Sequence, residues 1–388
     1  VELKEPEVGQ PRSKVAEFQE AFARFQGARY GIACASGTAA IEVALKGLGV
    51  GPGDEVIVPA YTFIATASPV LMVNAVPVFA DIDYETWNID PGRVEEAITP
   101  RTKAIIPVHF AGQAADMDSL LDIAKRHNLH IVEDAAHGHG ASWNGKGLGS
   151  IGRAGTFSFQ ASKNMTAGEG GLITTNDQDL AEICESYIWG GRKIGRPWYE
   201  HYRLGWNYRM TEFQGATLFQ QLRRLAAQNV RRAENARYLD EGLRRIPGIY
   251  PPKIRNFVTK HSYHLYMFHF NEEEFGITRE DFLVALAAEG ILCTGGYGHP
   301  IYKNPMFLLQ DFYPRGCPLT CDHYRHSIDY ASFEALCPNA ERACREAVWL
   351  EHRQLLAERE DMDDIVCTIE KVYEHRLDLI AAAVKKAD

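Results

Sequence analysis

The sequence predicts an α/β protein, with a large domain built on a mostly parallel central sheet flanked by helices and a smaller α+β C-terminal domain. Two observations predict it. Through the first half of the chain short apolar runs alternate with helical segments, the rhythm of parallel strands joined by helical crossovers. After Pro251-Pro252 the rhythm changes to strand, helix, strand and then long helices. A chain of 388 residues exceeds one ordinary domain, and the expected division is 1–245 and 246–388.

The elements follow in order. Val15, Phe18, Phe22 and Phe25 fall at helical spacing, so a helix spans Lys14 to Gln26. Ser36-Gly37-Thr38 starts a second helix, Ala39 to Leu48, stopped by Gly49 and the turn Gly51-Pro52-Gly53-Asp54. Expected strands are Glu55–Pro59, Val76–Asp81, Ala104–His109, His130–Asp134, Gly155–Phe159 and Leu172–Thr175, with helices over Ile64–Val73, Pro91–Ile98 and Met117–His127. A helical region follows the Arg209-Met210-Thr211-Glu212 stretch and runs to about Arg245, where Pro247-Gly248 breaks it. In the second domain Tyr263–Phe270 and Ile291–Thr294 read as strands. Thr278–Glu289, Ala340–Leu355 and Met362–Lys386 read as helices.

Composition excludes several classes. A net charge of −10 leaves too little concentrated Lys and Arg to neutralise nucleic-acid phosphates. No apolar run approaches the roughly 20 residues of a membrane span, and nothing ahead of the first helix reads as a signal peptide. The eight cysteines are scattered without framework spacing, which suits free thiols in a reducing, cytoplasmic setting. Cys317, Cys321, His323 and His326 fit no common structural zinc spacing, and no metal is expected.

Chemistry concentrates in two stretches. Asp134 closes the strand His130-Ile131-Val132, and Lys163 follows shortly after the strand that ends Ser158-Phe159. In open α/β sheets ligands sit beyond the carboxyl ends of the strands, where both residues fall. An amine able to hold an aldehyde as an imine, with a carboxylate beside a ring nitrogen that must stay protonated, suits a pyridoxal phosphate enzyme. Singly, each residue has a plainer reading: Asp134 as a helix N-cap, Lys163 as a surface lysine. Ser36-Gly37-Thr38 offers free amides at a helix start for a phosphate, or simply an N-cap, and Ser158 offers a hydroxyl to the same group. His137 is placed to reach the cofactor's phenolic oxygen, and Phe63 or Tyr61 to stack on a flat ring. Gly147-Leu148-Gly149-Ser150-Ile151-Gly152 matches the dinucleotide string G-x-G-x-x-G, but it follows a turn and leads into a strand, so it reads as a Gly-rich hairpin or loop.

Together the motifs resemble the DegT/DnrJ/StrS family of fold-type I pyridoxal phosphate aminotransferases, which act on keto-sugars and related cyclitols. They are Ala35-Ser36-Gly37-Thr38-Ala39-Ala40, Asp54-Glu55-Val56-Ile57-Val58-Pro59 with Thr62-Phe63, Val132-Glu133-Asp134-Ala135-Ala136-His137, Thr156-Phe157-Ser158-Phe159 with Lys163, Gly168-Glu169-Gly170-Gly171, and Gly205-Trp206-Asn207-Tyr208-Arg209-Met210-Thr211-Glu212. The resemblance implies that Lys163 binds the cofactor aldehyde and that Asp134 pairs with the pyridine nitrogen. His137 stands where the family usually has Gln. Gly37, Thr38 and Ser158 would hold the phosphate, Phe63 would flank the ring, and Asn207 would reach the phosphate of a partner subunit in a homodimer with shared sites. Some relatives carry His in place of the lysine and are dehydratases, so Lys163 argues for transamination.

The implied reaction is ping-pong transfer of an amino group from glutamate or glutamine to a keto-sugar or keto-cyclitol, with pyridoxamine phosphate as the intermediate form. The segments Gly296–Pro305 and Trp349–Leu356 are similar to the branches acting on keto-cyclitols or making aminohydroxybenzoate, more than to the nucleotide-sugar branch. On that basis His299, Tyr302 and His352 are expected near the substrate. A same-family dehydratase or aromatising synthase and a nucleotide-linked keto-sugar aminotransferase are the alternatives.

Overall fold

A computed structural model describes residues 13–313 and 316–379. Its centre is a seven-stranded sheet of β1 (Tyr30–Cys34), β2 (Glu55–Pro59), β3 (Val76–Ala80), β4 (Thr102–Ile105), β5 (His130–Asp134), β8 (Ala154–Ser158) and β9 (Gly171–Thr175). The spatial order is β1-β9-β8-β5-β4-β2-β3. Strand β9 runs antiparallel to both of its neighbours, and all the remaining pairings are parallel. Parallel strands buried on both faces explain the continuous apolar runs Val56-Ile57-Val58 and Val76-Pro77-Val78-Phe79. The short hairpin β6 (Ser142–Trp143) and β7 (Lys146–Gly147) pairs with β11 (Val258–Lys260) in a separate small sheet.

Helices α1 (Lys14–Gln26), α2 (Gly37–Gly47), α3 (Ser68–Met72), α4 (Pro91–Glu96), α5 (Met117–His127) and α6 (Gln178–Ile188) accompany this sheet. Their ends follow the chemistry of the sequence. Ser13, Ser36, Asp90, Asp116 and Asp177 each accept a backbone N–H as N-cap, while Gly27 and Asn128 close α1 and α5 in the left-handed region. The 32-residue helix α7 (Glu212–Leu243) opens with a Thr211/Gln214 capping box. At about 1.5 Å per residue it is long enough to serve two cores. Leu218 and Leu225 belong to the core around the main sheet. Ala236, Leu239 and Leu243 belong to a second core under β10 (Ile249–Tyr250), β12 (Leu265–Phe270) and β13 (Ala347–Glu351), with Phe282, Ile365 and Ile369.

Several expectations are corrected. Strand β1 was not expected. The 64–73 stretch is a 3-10 turn, Ile64–Thr66, followed by the short α3. Ile291–Thr294 forms no strand, only a single bridge from Thr294 to Trp349. The helix expected over Ala340–Leu355 is a helix, Pro338–Glu346, then β13, then a 3-10 turn, Gln354–Leu356. Apolar runs of that length fit either period, and here pairing with β12 decides. Of the helix expected over Met362–Lys386 the structure gives Arg359–Glu374, and residues beyond 379 lie outside the described part. Packing does not follow a single cut in the chain. Ile301, Tyr302, Phe307, Tyr330 and Phe333 return to the large core, so only part of the C-terminal third builds the second one. Among the described residues no helix is long and apolar enough to cross a membrane.

Candidate active site

A cavity of about 650 Å³ opens where β5 and β8 end and α2 begins. Its floor comes from the carboxyl ends of the parallel strands. Asp134, the last residue of β5, accepts a hydrogen bond from the Thr66 hydroxyl at 2.8 Å and one from the Ala136 amide at 3.1 Å. Burial raises its carboxyl above the usual carboxylate range, against the opposing pull of those two donors and of the Lys163 charge. A buried carboxylate so placed gains from a cation brought against it.

The preceding residue, Glu133, points the other way and is fully paired. Its carboxylate accepts from the amides of Gly149, Ile151 and Gly152, each at 2.7 Å, and meets His109 Nε2 at 2.9 Å. His109 Nδ1 accepts from the Ala115 amide, so the neutral ring carries its proton on Nε2 and donates it to Glu133. The Gly-rich loop that resembled a dinucleotide motif therefore cradles an internal carboxylate. It holds the end of β5 rigid behind Asp134.

Lys163 lies in the loop after β8 and lines the same cavity. Burial lowers its ammonium to about 8, opposed by the charge of Asp134. His137 lines the cavity as well. Burial, and after it the charges of Lys163 and His139, push its imidazolium well below the ordinary range, so the ring is neutral. Its Nδ1 is buried without a partner. The ring packs against His264, with centroids 4.1 Å apart.

At the opposite end Ser36 caps α2, leaving the amides of Gly37 and Thr38 free at the positive end of an 11-residue helix. Ser158 stands beside them at the end of β8. A Cβ built on Gly37 would come within 2.7 Å of the Ser158 Cβ, so only glycine lets the helix start approach the strand this closely. Phe63 lines the cavity with 57% of its surface exposed. Tyr61, its alternative as a stacking ring, is buried against Phe110 and Tyr297.

The rim comes from the second sheet and its loops: His264, Thr294, Tyr297, Trp349, Glu351 and His352. His352 is thus on the cavity as expected, whereas His299 and Tyr302 are not among the lining residues. His299 is exposed, and its Nδ1 lies 3.0 Å from the Pro300 carbonyl oxygen. Tyr302 is buried in the large core against Phe79 and donates to Glu341 at 2.7 Å. Asn207 sits on an exposed segment bridged to Trp189, outside the cavity of its own chain. Sequence reasoning missed Thr66, His264, Tyr297 and Trp349. No local motif marks Thr66 or His264, whereas Tyr297 and Trp349 lie in the two substrate-side segments without being singled out there.

A family model described as the DegT/DnrJ/EryC1/StrS aminotransferase family matches residues 7–337. The chain belongs to this family. It is a pyridoxal phosphate-dependent aminotransferase of fold type I. L-glutamine:2-deoxy-scyllo-inosose aminotransferase of Streptomyces fradiae is 41% identical over 375 residues, covering 93% of this chain and 86% of that protein. GDP-perosamine synthase of Caulobacter vibrioides is 40% identical over 293 residues, 76% and 78% of the two chains. The crystal structure of 3-amino-5-hydroxybenzoic acid synthase matches with a TM-score of 0.85 at 35% identity, over 94% of this chain and 91% of that one. Two further solved relatives hold the cofactor in its pyridoxamine form. The cavity fits that cofactor: free amides at a helix start for its phosphate, a buried carboxylate for its ring nitrogen, an unpartnered imidazole nitrogen for a ring oxygen and an amine of lowered basicity for its aldehyde.

Proposed function

We propose that this aminotransferase moves the amino group of glutamine or glutamate to the ketone of a cyclitol or sugar by ping-pong transamination, with Lys163 as the cofactor-bearing and proton-moving amine. The observation that carries this reading is the convergence of Lys163, Asp134 and the α2 start on one cavity. Bound pyridoxal phosphate supplies an aldehyde that takes up the amino group and a protonated ring that withdraws electrons from the reacting carbon. The chain's residues do the rest. Asp134 keeps the ring nitrogen protonated, and His137 hydrogen-bonds the phenolic oxygen. Gly37, Thr38 and Ser158 hold the phosphate, and Phe63 covers a face of the ring. Lys163, with its ammonium lowered to about 8, gives up its proton far more readily than an exposed lysine, as a base at the donor's α-carbon must.

On the acceptor side, the three named relatives differ in product, so identity alone does not choose among them. The lining does favour one class. Among the described lining residues Lys163 is the one Lys or Arg, while Asp134, Glu169 and Glu351 carry carboxylates. A diphosphate would meet no second cation from the described lining residues of this chain. Trp349 and Tyr297 instead offer aromatic faces to an uncharged ring. A free keto-cyclitol or keto-sugar is therefore favoured over a nucleotide-linked one.

Asn207, outside its own cavity, is assigned to the phosphate of a second copy, which makes a homodimer with two shared sites. The eight free thiols support a reducing, cytoplasmic setting. A donor and acceptor panel, read by interconversion of the two cofactor absorbances, tests the reaction. Bleaching by glutamine or glutamate and recovery with a keto-cyclitol are expected, and no bleaching by any amino donor would refute it. Release of aminohydroxybenzoate would instead mark an aromatising synthase.

A further inference from the structure

The loop that carries Lys163 is held at the residues before and after it by two neighbouring histidines at the ends of second-sheet strands. On one side, His352 Nε2 lies 3.0 Å from the carbonyl oxygen of Ser162, the residue before Lys163. Which atom donates is settled by Arg232. Its guanidinium can only donate and lies 3.3 Å from His352 Nδ1, so Nδ1 accepts and the proton of the neutral ring sits on Nε2. Burial, followed by the Arg232 charge, lowers the His352 imidazolium to about 4, which keeps the ring neutral across ordinary pH. Arg232 is itself 1% exposed and is fixed by Asn229 Oδ1 at 2.8 Å and the His352 carbonyl at 3.3 Å.

On the other side, His264 Nδ1 donates to Asn164 Oδ1 at 2.9 Å, and the Asn164 amide donates to the Ser262 carbonyl at 2.8 Å. Asn164 is the residue after Lys163. The rings of His264 and His352 are stacked with centroids 5.7 Å apart. One stands at the start of β12 and the other directly follows β13, neighbouring strands of one sheet.

Granting Lys163 the cofactor-bearing role proposed above, we infer that His264 and His352 are positioning residues that, stacked side by side, clamp the lysine loop through the residues before and after Lys163, with Arg232 setting the tautomer that His352 needs. The clamp ties the position of the reactive amine to the docking of the second sheet. It also gives His352 a role other than substrate contact. A lysine displaced by a fraction of an ångström loses its line to the reacting carbon, so the clamp acts on the chemical step and not on substrate affinity.

The test compares His352→Phe, which keeps the ring and removes the donor, with His352→Gln, whose amide nitrogen can reach the Ser162 carbonyl. In the full chain before cofactor is added, hydrogen exchange over residues 159–167 is expected to accelerate roughly fivefold in His352→Phe and to return toward wild type in His352→Gln. After loading, kcat is expected to fall on the order of tenfold in His352→Phe while the acceptor KM stays within about twofold. Unchanged exchange in His352→Phe, or an acceptor KM raised equally in both variants with kcat intact, would overturn the clamp and return His352 to the substrate. His264→Phe probes the far side on its own: faster exchange across residues 163–166 supports the clamp, and wild-type exchange overturns it. The exchange readout needs no turnover, so failure of the proposed reaction and failure of the clamp are told apart.

Discussion

The floor and the rim of the cavity are made from different parts of the chain. The floor lies at the ends of neighbouring parallel strands. Asp134 is backed by the four-donor cradle around Glu133, and Ser158 is fitted against a glycine at the helix start. The rim comes from residues far away in sequence: Trp349 and Glu351 on β13, with Tyr297 and His352 on adjoining loops; that sheet has a core of its own, and the Tyr297 and Trp349 rings pack back against the main one. The difference separates two tasks. On the proposed reading, strand ends of the main sheet fix the cofactor chemistry, while side chains brought in by a second sheet and its loops shape the space for the ketone.

Changes to the floor should therefore remove chemistry, and changes to the rim should redirect it. Lys163→Ala is expected to have the largest effect, a loss of at least about a thousandfold in the donor half-reaction measured by single-turnover absorbance. Asp134→Asn should follow, with a fall on the order of a hundredfold in the same assay, because a neutral amide no longer holds the ring nitrogen protonated. A loss confined to KM in either variant would blur the division.

The pH dependence of the floor sharpens it. Burial disfavours the charged Lys163, so its folded pKa lies below its unfolded one. The rate at which the cofactor-free chain captures pyridoxal phosphate should thus rise with pH and reach half its maximum near about 8, not near the 10.5 of an exposed lysine. The sign for stability agrees. Between those values the unfolded chain binds more protons than the folded one, so the cofactor-free protein should gain stability as pH rises through that window. Stopped-flow capture and denaturant titrations would check each part. The smallest effect belongs to the rim. Trp349→Phe should change the acceptor KM severalfold and leave the donor half-reaction within about twofold, since it trims one aromatic face.

Legibility in the sequence follows the same division. Asp134, His137, Ser158 and Lys163 sit in contiguous motifs whose strand-end placement follows from pattern alone, and the strand His130–Asp134 and helix Met117–His127 agree with the structure at both ends. The rim was legible only as two segments. Of the residues chosen from them, His352 lines the cavity, Tyr302 packs into the large core and His299 sits outside, while Tyr297 and Trp349, not chosen, line it. Nothing local tells which face of an irregular loop turns inward, and β13 itself read as helix until its pairing with β12 was known. Strand β1 escaped because Tyr30-Gly31-Ile32-Ala33-Cys34 is short and carries a glycine, a weak strand signal that the edge of a sheet tolerates.

Borohydride reduction of the pyridoxal phosphate-loaded protein, followed by peptide mass analysis, tests the central claim most directly. A pyridoxyl phosphate adduct on the peptide containing Lys163, absent when glutamine is added first, is the predicted result. An adduct on another lysine with Lys163 unmodified would contradict it.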